Sequence, residues 1–237
     1  MNGDPEDQAH ALDRRLQDRI HAYGSTQGMV AFSGGVDSST VLAVAARALG
    51  HRFVTAVTAI SPSYPEGELE QAAELAASMG VRHRVIRTHE VDREAYARND
   101  PDRCFHCKTE LYTTIGRIVK RAGGEGAVVM AGANADDLLD VRPGLRAGQL
   151  RGVRNPLLEE GAGKEAVRAL AQFLGLPVAD KPALACLSSR VTFGVRITPE
   201  LLARIDRAER LVRALGFDPV RVRHLGETAS IEVPAGE

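Results

Sequence analysis

The segment from Gly28 to Leu49 restricts this chain more than any other. An apolar run, Gly28-Met29-Val30-Ala31-Phe32, leads directly into Ser33-Gly34-Gly35-Val36-Asp37-Ser38-Ser39 and then into an apolar-periodic stretch from Thr40 to Leu49. The pattern predicts a strand, a glycine turn and the start of a helix. Two adjacent glycines let the backbone approach a polyanion closely, and the free NH groups of the helix's first turn point towards it. The helix dipole adds to the attraction for phosphate. Ser33, Ser38 and Ser39 can donate hydroxyl hydrogen bonds to phosphate oxygens, and Asp37 can hold a magnesium ion against the charge gathered there. A nucleoside triphosphate suits such a turn; an ordinary Ser/Gly turn with an aspartate cap is the plainer alternative.

No lysine follows the glycines, so this is not the P-loop with its Gly-Lys-Ser/Thr ending, and it is not a GxGxxG dinucleotide turn. It resembles the pyrophosphate-binding loop (PP-loop) of the ATP pyrophosphatase superfamily. That resemblance implies cleavage of ATP between the alpha and beta phosphates and adenylylation of a substrate oxygen. It says nothing about which substrate.

The chain of 237 residues has room for one large or two modest domains, and its 44% hydrophobic content suits a packed globular fold. We expect two domains, 1–180 and 181–237. With 30 basic and 31 acidic residues the formal net charge is −1, so the charge balance points neither to nucleic acid nor to an acidic membrane surface as a partner. No stretch approaches the roughly 20 apolar residues of a membrane helix. The first residues, Met1 to Asp7, are acidic and polar, which leads to the expectation of a cytoplasmic protein. Three cysteines, Cys104, Cys107 and Cys186, argue against a disulfide framework and for reduced, reactive or metal-bound sulfur.

Strand-like and helix-like segments alternate along most of the chain. Asp7 to Ala22 reads as a helix with Leu12, Leu16 and Ile20 on one face, Met29 to Phe32 as a strand, and Phe53 to Ile60 as a second strand. Glu66 to Ser78 reads as an alanine-rich helix stopped by Gly80, and Val81 to Arg87 as a third strand. A helix follows around Lys108 to Arg121, then a Gly123-Gly124 break and a short fourth strand from Ala127 to Ala131. Val141 to Asn155, rich in Gly and Arg, reads as an irregular connection, and Lys164 to Leu174 as another helix ended by Gly175. Asp180-Lys181-Pro182 marks a boundary. Beyond it lie an irregular stretch holding Cys186, a helix over 200–215, and a hairpin or strand pair on either side of Gly226. The alternation predicts an α/β fold with a parallel sheet and a smaller C-terminal α/β domain. Ligands of such sheets sit at the carboxyl ends of the strands, where Ser33 to Ser39, Thr58 to Ser61 and Gly132 to Asp137 would share one pocket.

Cys104-Phe105-His106-Cys107 is a CxxC, and with Cys186 it provides three candidate thiolate ligands. A 4Fe-4S cluster held by three thiolates leaves one iron open to an exogenous ligand such as hydrosulfide. A zinc site using His106 as fourth ligand, a redox pair and thiols without a special role are the alternatives. Asp136 and Asp137 place a carboxylate pair where magnesium or a ribose can be held, or where a helix can be capped. Arg221 and Arg223 alternate on a strand and share a face, either as an anion clamp or as a solvated edge.

Taken together, these residues resemble the LarE family of PP-loop sulfurtransferases, which serve synthesis of the nickel-pincer nucleotide cofactor. The resemblance runs through Ser33 to Ser39, Asp102 to Lys108, Asn134 to Asp137 and on through Asp140 to Gly144, Asn155-Pro156-Leu157, Asp180-Lys181-Pro182, Cys186 to Arg190 with Gly194 and Ile197-Thr198, and Arg221 to Arg223. It implies an adenine nucleotide alpha hydrolase-like PP-loop domain. It further implies that ATP adenylylates a carboxylate of pyridinium-3,5-biscarboxylic acid mononucleotide and that sulfur then replaces AMP to give a thiocarboxylate. By this resemblance Ser33, Gly34, Gly35, Asp37, Ser38 and Ser39, with Thr58 and Gly132, bind the nucleotide, and Asp37 and Asp137 hold magnesium. Arg190, Arg221 and Arg223 meet the substrate's anionic groups, and Glu209 lies near the active sulfur. The family supplies sulfur either from a lone cysteine at the position of Cys186, which is left as dehydroalanine, or from a sulfide on a 4Fe-4S cluster held by three cysteines. The presence of Cys104, Cys107 and Cys186 favours the cluster, with Asp37, Glu209 and Cys186 as catalytic residues. The implied partners are the small pyridinium mononucleotide, sulfide or a sulfur-donor protein, and further copies of the chain.

The family pattern continues past Ile231-Glu232-Val233 with a helix and strand carrying an active-site aspartate, so a short variant or a fragment is expected here. A PP-loop enzyme that thiolates tRNA, an ammonia-using PP-loop ligase and a nucleotide sensor are the competing readings. The first lacks support in the near-neutral charge.

Overall fold

A computed structural model describes residues 4–121, 126–138, 142–182 and 185–234. The expected break at Gly123-Gly124 and the matching residues Asp140 and Val141 lie outside them. The helices are α1 (Pro5–His21), α2 (Val36–Leu49), α3 (Glu68–Ser78), α4 (Glu94–Ala97), α5 (Arg103–Arg121), α6 (Pro143–Gln149), α7 (Pro156–Glu159), α8 (Lys164–Phe173) and α9 (Pro199–Ala214). The strands are β1 (Gly28–Ala31), β2 (Val54–Ile60), β3 (Arg82–Arg87), β4 (Val128–Met130), β5 (Arg221–His224) and β6 (Ala229–Glu232).

The first four strands form one parallel sheet in the order β3-β2-β1-β4. Val30 of β1 is level with Ala56 of β2 and with Met130 of β4, which brings the ends of all three strands to one edge. Chain order reverses between β1 and β4, and in open parallel sheets the crevice at such a reversal is the ligand site. Helices cover both faces. On one side α1, α2 and α8 bury Leu12, Leu16, Ile20, Val41, Leu42, Val167 and Leu170 against Val30, Val54 and Met130. On the other, α5 lays Leu111, Tyr112, Ile115 and Ile118 against Val57, Ile86 and Ala131. Local chemistry sets the helix starts. Asp4 caps α1 through the Glu6 N–H ahead of Pro5, and Thr198 caps α9 through the Leu201 N–H ahead of Pro199.

β5 and β6 form an antiparallel hairpin, with Val222 level with Ile231. A third apolar cluster joins Leu187, Val191, Ile197, Leu202 and Ile205 to Val91 and Tyr96, with the half-buried Cys107 packed against it. The C-terminal segment is therefore anchored on residues 90–107.

Two helices differ from the sequence reading. Residues 143–149 form α6 where an irregular connection was expected, and α5 begins at Arg103, so the CxxC lies on a helix. Among the described residues, no helix is long and apolar enough to cross a membrane.

Candidate active site

The glycine turn after β1 is built as its residue types require. Gly34 has φ of 77°, a left-handed conformation available to glycine without strain. Ser38 and Ser39 turn their hydroxyls inward onto the Gly35 carbonyl at 3.1 and 2.9 Å, bracing the turn, while Ser33 stays exposed. Gly35, the N-cap of α2, provides no side-chain cap, so the first NH groups of this helix are available to an anion. Across the reversal, Gly132 meets the same turn so closely that a Cβ there would lie 2.7 Å from Ser38 N. Only glycine fits this position.

Two carboxylates converge on Asn134. Asp37 Oδ1 accepts from the Asn134 side-chain amide at 3.2 Å, and Asp137 Oδ2 accepts from the Asn134 backbone N–H at 3.1 Å. Lys164, the first residue of α8, donates its ammonium to Asp37 Oδ2 at 2.6 Å and its backbone N–H to Asp136 Oδ2 at 2.8 Å. Asp137 also pairs with Arg142 at 3.0 Å. Hard carboxylate oxygens of this kind suit magnesium. Asp37 and Asp137 are the residues that would hold it, with the Lys164 ammonium giving up Asp37. Thr58 is fully buried, and its hydroxyl donates to the Phe32 carbonyl at 2.8 Å and accepts from His83 Nε2 at 2.8 Å. It therefore fixes the strand end that leads into Ser33.

The three cysteines gather at the seam between α5 and the C-terminal segment. Cys104 and Cys107, one helical turn apart, share a face of α5; Cys104 and Cys186 are exposed. Burial pushes the Cys107 thiol up to about 12, and its other neighbours in charge are Lys108, Glu90, Cys186 and Cys104. Leu187, the residue after Cys186, packs in the same apolar cluster as Cys107, which brings the Cys186 loop to the CxxC. Among the described residues no three His, Cys, Asp or Glu side chains already converge on a metal-ion position. Three soft sulfur donors at one seam nevertheless match the donor chemistry of an iron-sulfur cluster.

Main-chain and side-chain bonds together hold the Cys186 loop in place. The Leu187 N–H donates to the Ser63 carbonyl at 2.9 Å, Tyr96 and Ser188 share a hydrogen bond of 2.6 Å, and Arg103 donates to the Ser188 carbonyl at 2.7 Å. Arg190, 6% exposed, is paired through Nε with Glu209 at 2.8 Å and donates to the Ala185 carbonyl at 2.9 Å. Glu209, 1% exposed, also accepts from the Val222 N–H at 3.0 Å and from Arg213 at 3.3 Å. It thereby ties β5 to the cysteine loop. Arg221 and Arg223 flank the buried Val222, and Arg223 bonds Glu232 and, at 3.4 Å, the Ser189 carbonyl.

Sequence reasoning passed over Lys164, Arg103 and Tyr96. Lys164 lies 127 residues from its partner Asp37, so no local spacing could reveal it.

The asparagine synthase family model matches residues 11–183. An uncharacterized protein of Synechocystis is 42% identical over 224 residues, covering 94% of this chain and 82% of that one. The pyridinium-3,5-bisthiocarboxylic acid mononucleotide synthase of Lactiplantibacillus plantarum is 38% identical over 205 residues, covering 86% of this chain and 74% of that one. An ammonia-dependent NAD(+) synthetase of Methanopyrus kandleri matches over 81 residues at 36% identity, 34% of this chain and 28% of its own.

Proposed function

Because this chain belongs to the LarE family, whose ATP-dependent PP-loop sulfurtransferases serve pincer cofactor synthesis, we propose that it adenylylates the carboxylates of pyridinium-3,5-biscarboxylic acid mononucleotide and converts them to thiocarboxylates. The observation that carries this reading is the Leu187 to Ser63 hydrogen bond, which brings Cys186 to the same sheet edge as the phosphate turn. Activation and sulfur delivery can then act on one bound carboxylate.

A carboxylate resists a sulfur nucleophile until one oxygen becomes a good leaving group. The NH groups at the start of α2, with Ser33, Gly34 and Gly35, hold the phosphates on a turn that Ser38 and Ser39 brace from within, while Gly132 and Thr58 fix the walls of that pocket. Asp37 and Asp137 would hold magnesium, whose charge would offset that of the phosphates. Lys164, once released from Asp37, is placed to follow that charge. Arg221 and Arg223, with Arg190 behind them on Glu209, make a cationic wall for the substrate's phosphate and second carboxylate. A 4Fe-4S cluster on Cys104, Cys107 and Cys186 would supply a renewable sulfide when bound. Without it, Cys186 is the sulfur donor.

The test is incubation of the protein with ATP, magnesium, sulfide and the biscarboxylic mononucleotide under nitrogen, reading pyrophosphate and product mass. Pyrophosphate with a mass gain of one sulfur for oxygen supports the reading. Pyrophosphate with an amide product on adding ammonia would replace it with a ligase.

A further inference from the structure

Asn99, just after α4, is fully buried, at 0% exposed. Its φ of 59° is the one left-handed value among the described non-glycine residues. Helices commonly end on a residue in that conformation, and glycine takes it with less strain than any other residue. The turn alone therefore gives no reason for asparagine; the side chain does. Its Nδ2 donates to the carbonyls of Thr192 at 2.8 Å, Val195 at 3.1 Å and Val191 at 3.3 Å, and its Oδ1 accepts from Arg103 Nη1 at 2.5 Å. Both polar atoms of the amide are engaged.

These bonds join the two parts of the chain that carry sulfur. Arg103, the residue before Cys104, is 5% exposed and donates through the same Nη1 to the Ser188 carbonyl at 2.7 Å, two residues beyond Cys186. Main-chain bonds tie the later part of that loop to the end of α4: the Gly194 N–H donates to the Asn99 carbonyl at 3.2 Å, and the Ile197 N–H to the Ala97 carbonyl at 2.8 Å. Among the described residues, 187–192 make no main-chain bond of this kind to 90–107. Their hydrogen bonds to that segment come from the side chains of Tyr96, Asn99 and Arg103. Of these three, Asn99 bonds the loop and Arg103 at once, so it sets both where the loop lies and where the guanidinium points. Loss of its amide frees the stretch next to Cys186 and leaves the anchors at Gly194 and Ile197 in place.

We propose that Asn99 is a positioning residue for sulfur transfer: with Arg103, it holds Cys186 at the separation from the CxxC helix that delivery of sulfur requires. This rests on the sulfurtransferase reading above, and it applies whether Cys186 gives up its own sulfur or shares in holding a cluster. In either case the reacting sulfur must meet a carboxylate activated at the phosphate turn, and a misplacement of about 1 Å can slow such a step by about a hundredfold. Hydrogen bonds from a buried amide hold the placement more narrowly than apolar packing, because each demands its own distance and direction.

The experiment compares wild type, Asn99→Gly and Asn99→Asp as full chains. Asn99→Gly keeps the left-handed turn and removes the side chain. Asn99→Asp keeps an oxygen for Arg103 and turns the donor facing three carbonyls into an acceptor. With ATP, magnesium, sulfide and the biscarboxylic mononucleotide under nitrogen, pyrophosphate release and thiocarboxylate formation are read separately. On reduced, metal-free protein, dibromobimane then joins neighbouring thiols, and peptide masses compare bridges from Cys186 to the CxxC with bridges within the CxxC. We expect both variants to slow thiocarboxylate formation by at least about tenfold while pyrophosphate release changes by less than about twofold. Bridges to Cys186 should fall by at least about twofold relative to those within the CxxC, as the freed loop opens locally. Both half-reactions slowed alike overturn the proposal in favour of a structural brace. Wild-type transfer in Asn99→Asp overturns the part given to the amide donors, and unaltered transfer or bridging in Asn99→Gly overturns the Asn99 role alone. Wild-type protein without bridges to Cys186 overturns the placement itself. Wild-type protein that forms no thiocarboxylate overturns the function reading, and this role with it.

Discussion

Lys164 donates to Asp37 across 2.6 Å, so the carboxylate assigned to magnesium already has a counter-charge supplied by α8. On the proposed assignment, metal and ammonium would compete for one oxygen. Lys164→Met should lower the magnesium concentration that half-saturates pyrophosphate release, while cutting its maximal rate by at least about tenfold as a cation is lost from the phosphates. A magnesium titration decides it; an unchanged half-saturation point removes the competition.

Asp37→Asn keeps the shape that meets Asn134 and removes the charge. Pyrophosphate release should slow by at least about a hundredfold, the scale for losing a transition-state charge contact. A rate within a few-fold of wild type would take Asp37 out of the mechanism.

Cys186→Ala separates the two half-reactions. Adenylylation should persist, read as pyrophosphate release, while thiocarboxylate formation should vanish. Iron and acid-labile sulfide on anaerobically purified wild type should come to about four of each per chain, the content of a cubane cluster. Protein carrying neither, with sulfur transfer intact for a single turnover, would make Cys186 the sacrificial donor.

The Arg190–Glu209 pair is buried on both sides. Arg190→Met leaves Glu209 with Arg213 and the Val222 N–H only, and should destabilise the fold by about 3–5 kcal/mol, the usual effect of stranding one member of a buried pair. Urea denaturation measures it. A loss under about 1 kcal/mol would mean that Arg213 takes over the pairing.

His83 links acidity to the geometry of the phosphate turn. Its ring lies edge-on to Phe32 with centroids 6.1 Å apart, and burial lowers its pKa below the ordinary value of 6.5. Thr58 gives its proton to the Phe32 carbonyl, so His83 Nε2 must carry the hydrogen between them. The unfolded chain takes up a proton near pH 6.5 and the folded chain resists it. The stability due to neutral His83 is thus complete above that pH and declines as pH falls through it towards the folded-state value. The thermal midpoint should drop between about pH 7 and pH 5, and His83→Gln should flatten that part of the curve. Identical slopes would exclude His83 as the source.

The parallel sheet and the helices on its faces were legible because their apolar periodicity is local. The helix over 143–149 was hidden by Gly144 and Gly148, which read as loop residues. A Cβ on Gly144 would stand 3.1 Å from Lys108 Cγ, and one on Gly148 would stand 3.4 Å from Tyr112. These glycines let α6 lie close on α5, and only the packed structure reveals that purpose. The start of α5 was missed because Cys104, Phe105 and His106 have middling helix propensity, and the tertiary ties of Arg103 to Asn99 and Ser188 determine it. Among the candidate site residues, the phosphate turn could be read from adjacent letters. The partners of Asp37 and Glu209 come together only through folding.

The contact of Gly132 with the Asp37–Ser38 backbone has a consequence for how such a scaffold can change. At Gly132 the nucleotide half is closed main chain against main chain, with no side chain between to trim or exchange, so few substitutions at that contact could retune it without opening it. In the cysteine half, the Cys186 loop has one main-chain bond beyond itself among the described residues, from the Leu187 N–H to the Ser63 carbonyl, and is otherwise held by the replaceable side chains of Tyr96, Arg103 and Arg190. Substitution is thereby channelled: the seat of the glycine turn is closed to it, and the surroundings of the cysteines are the part open to revision.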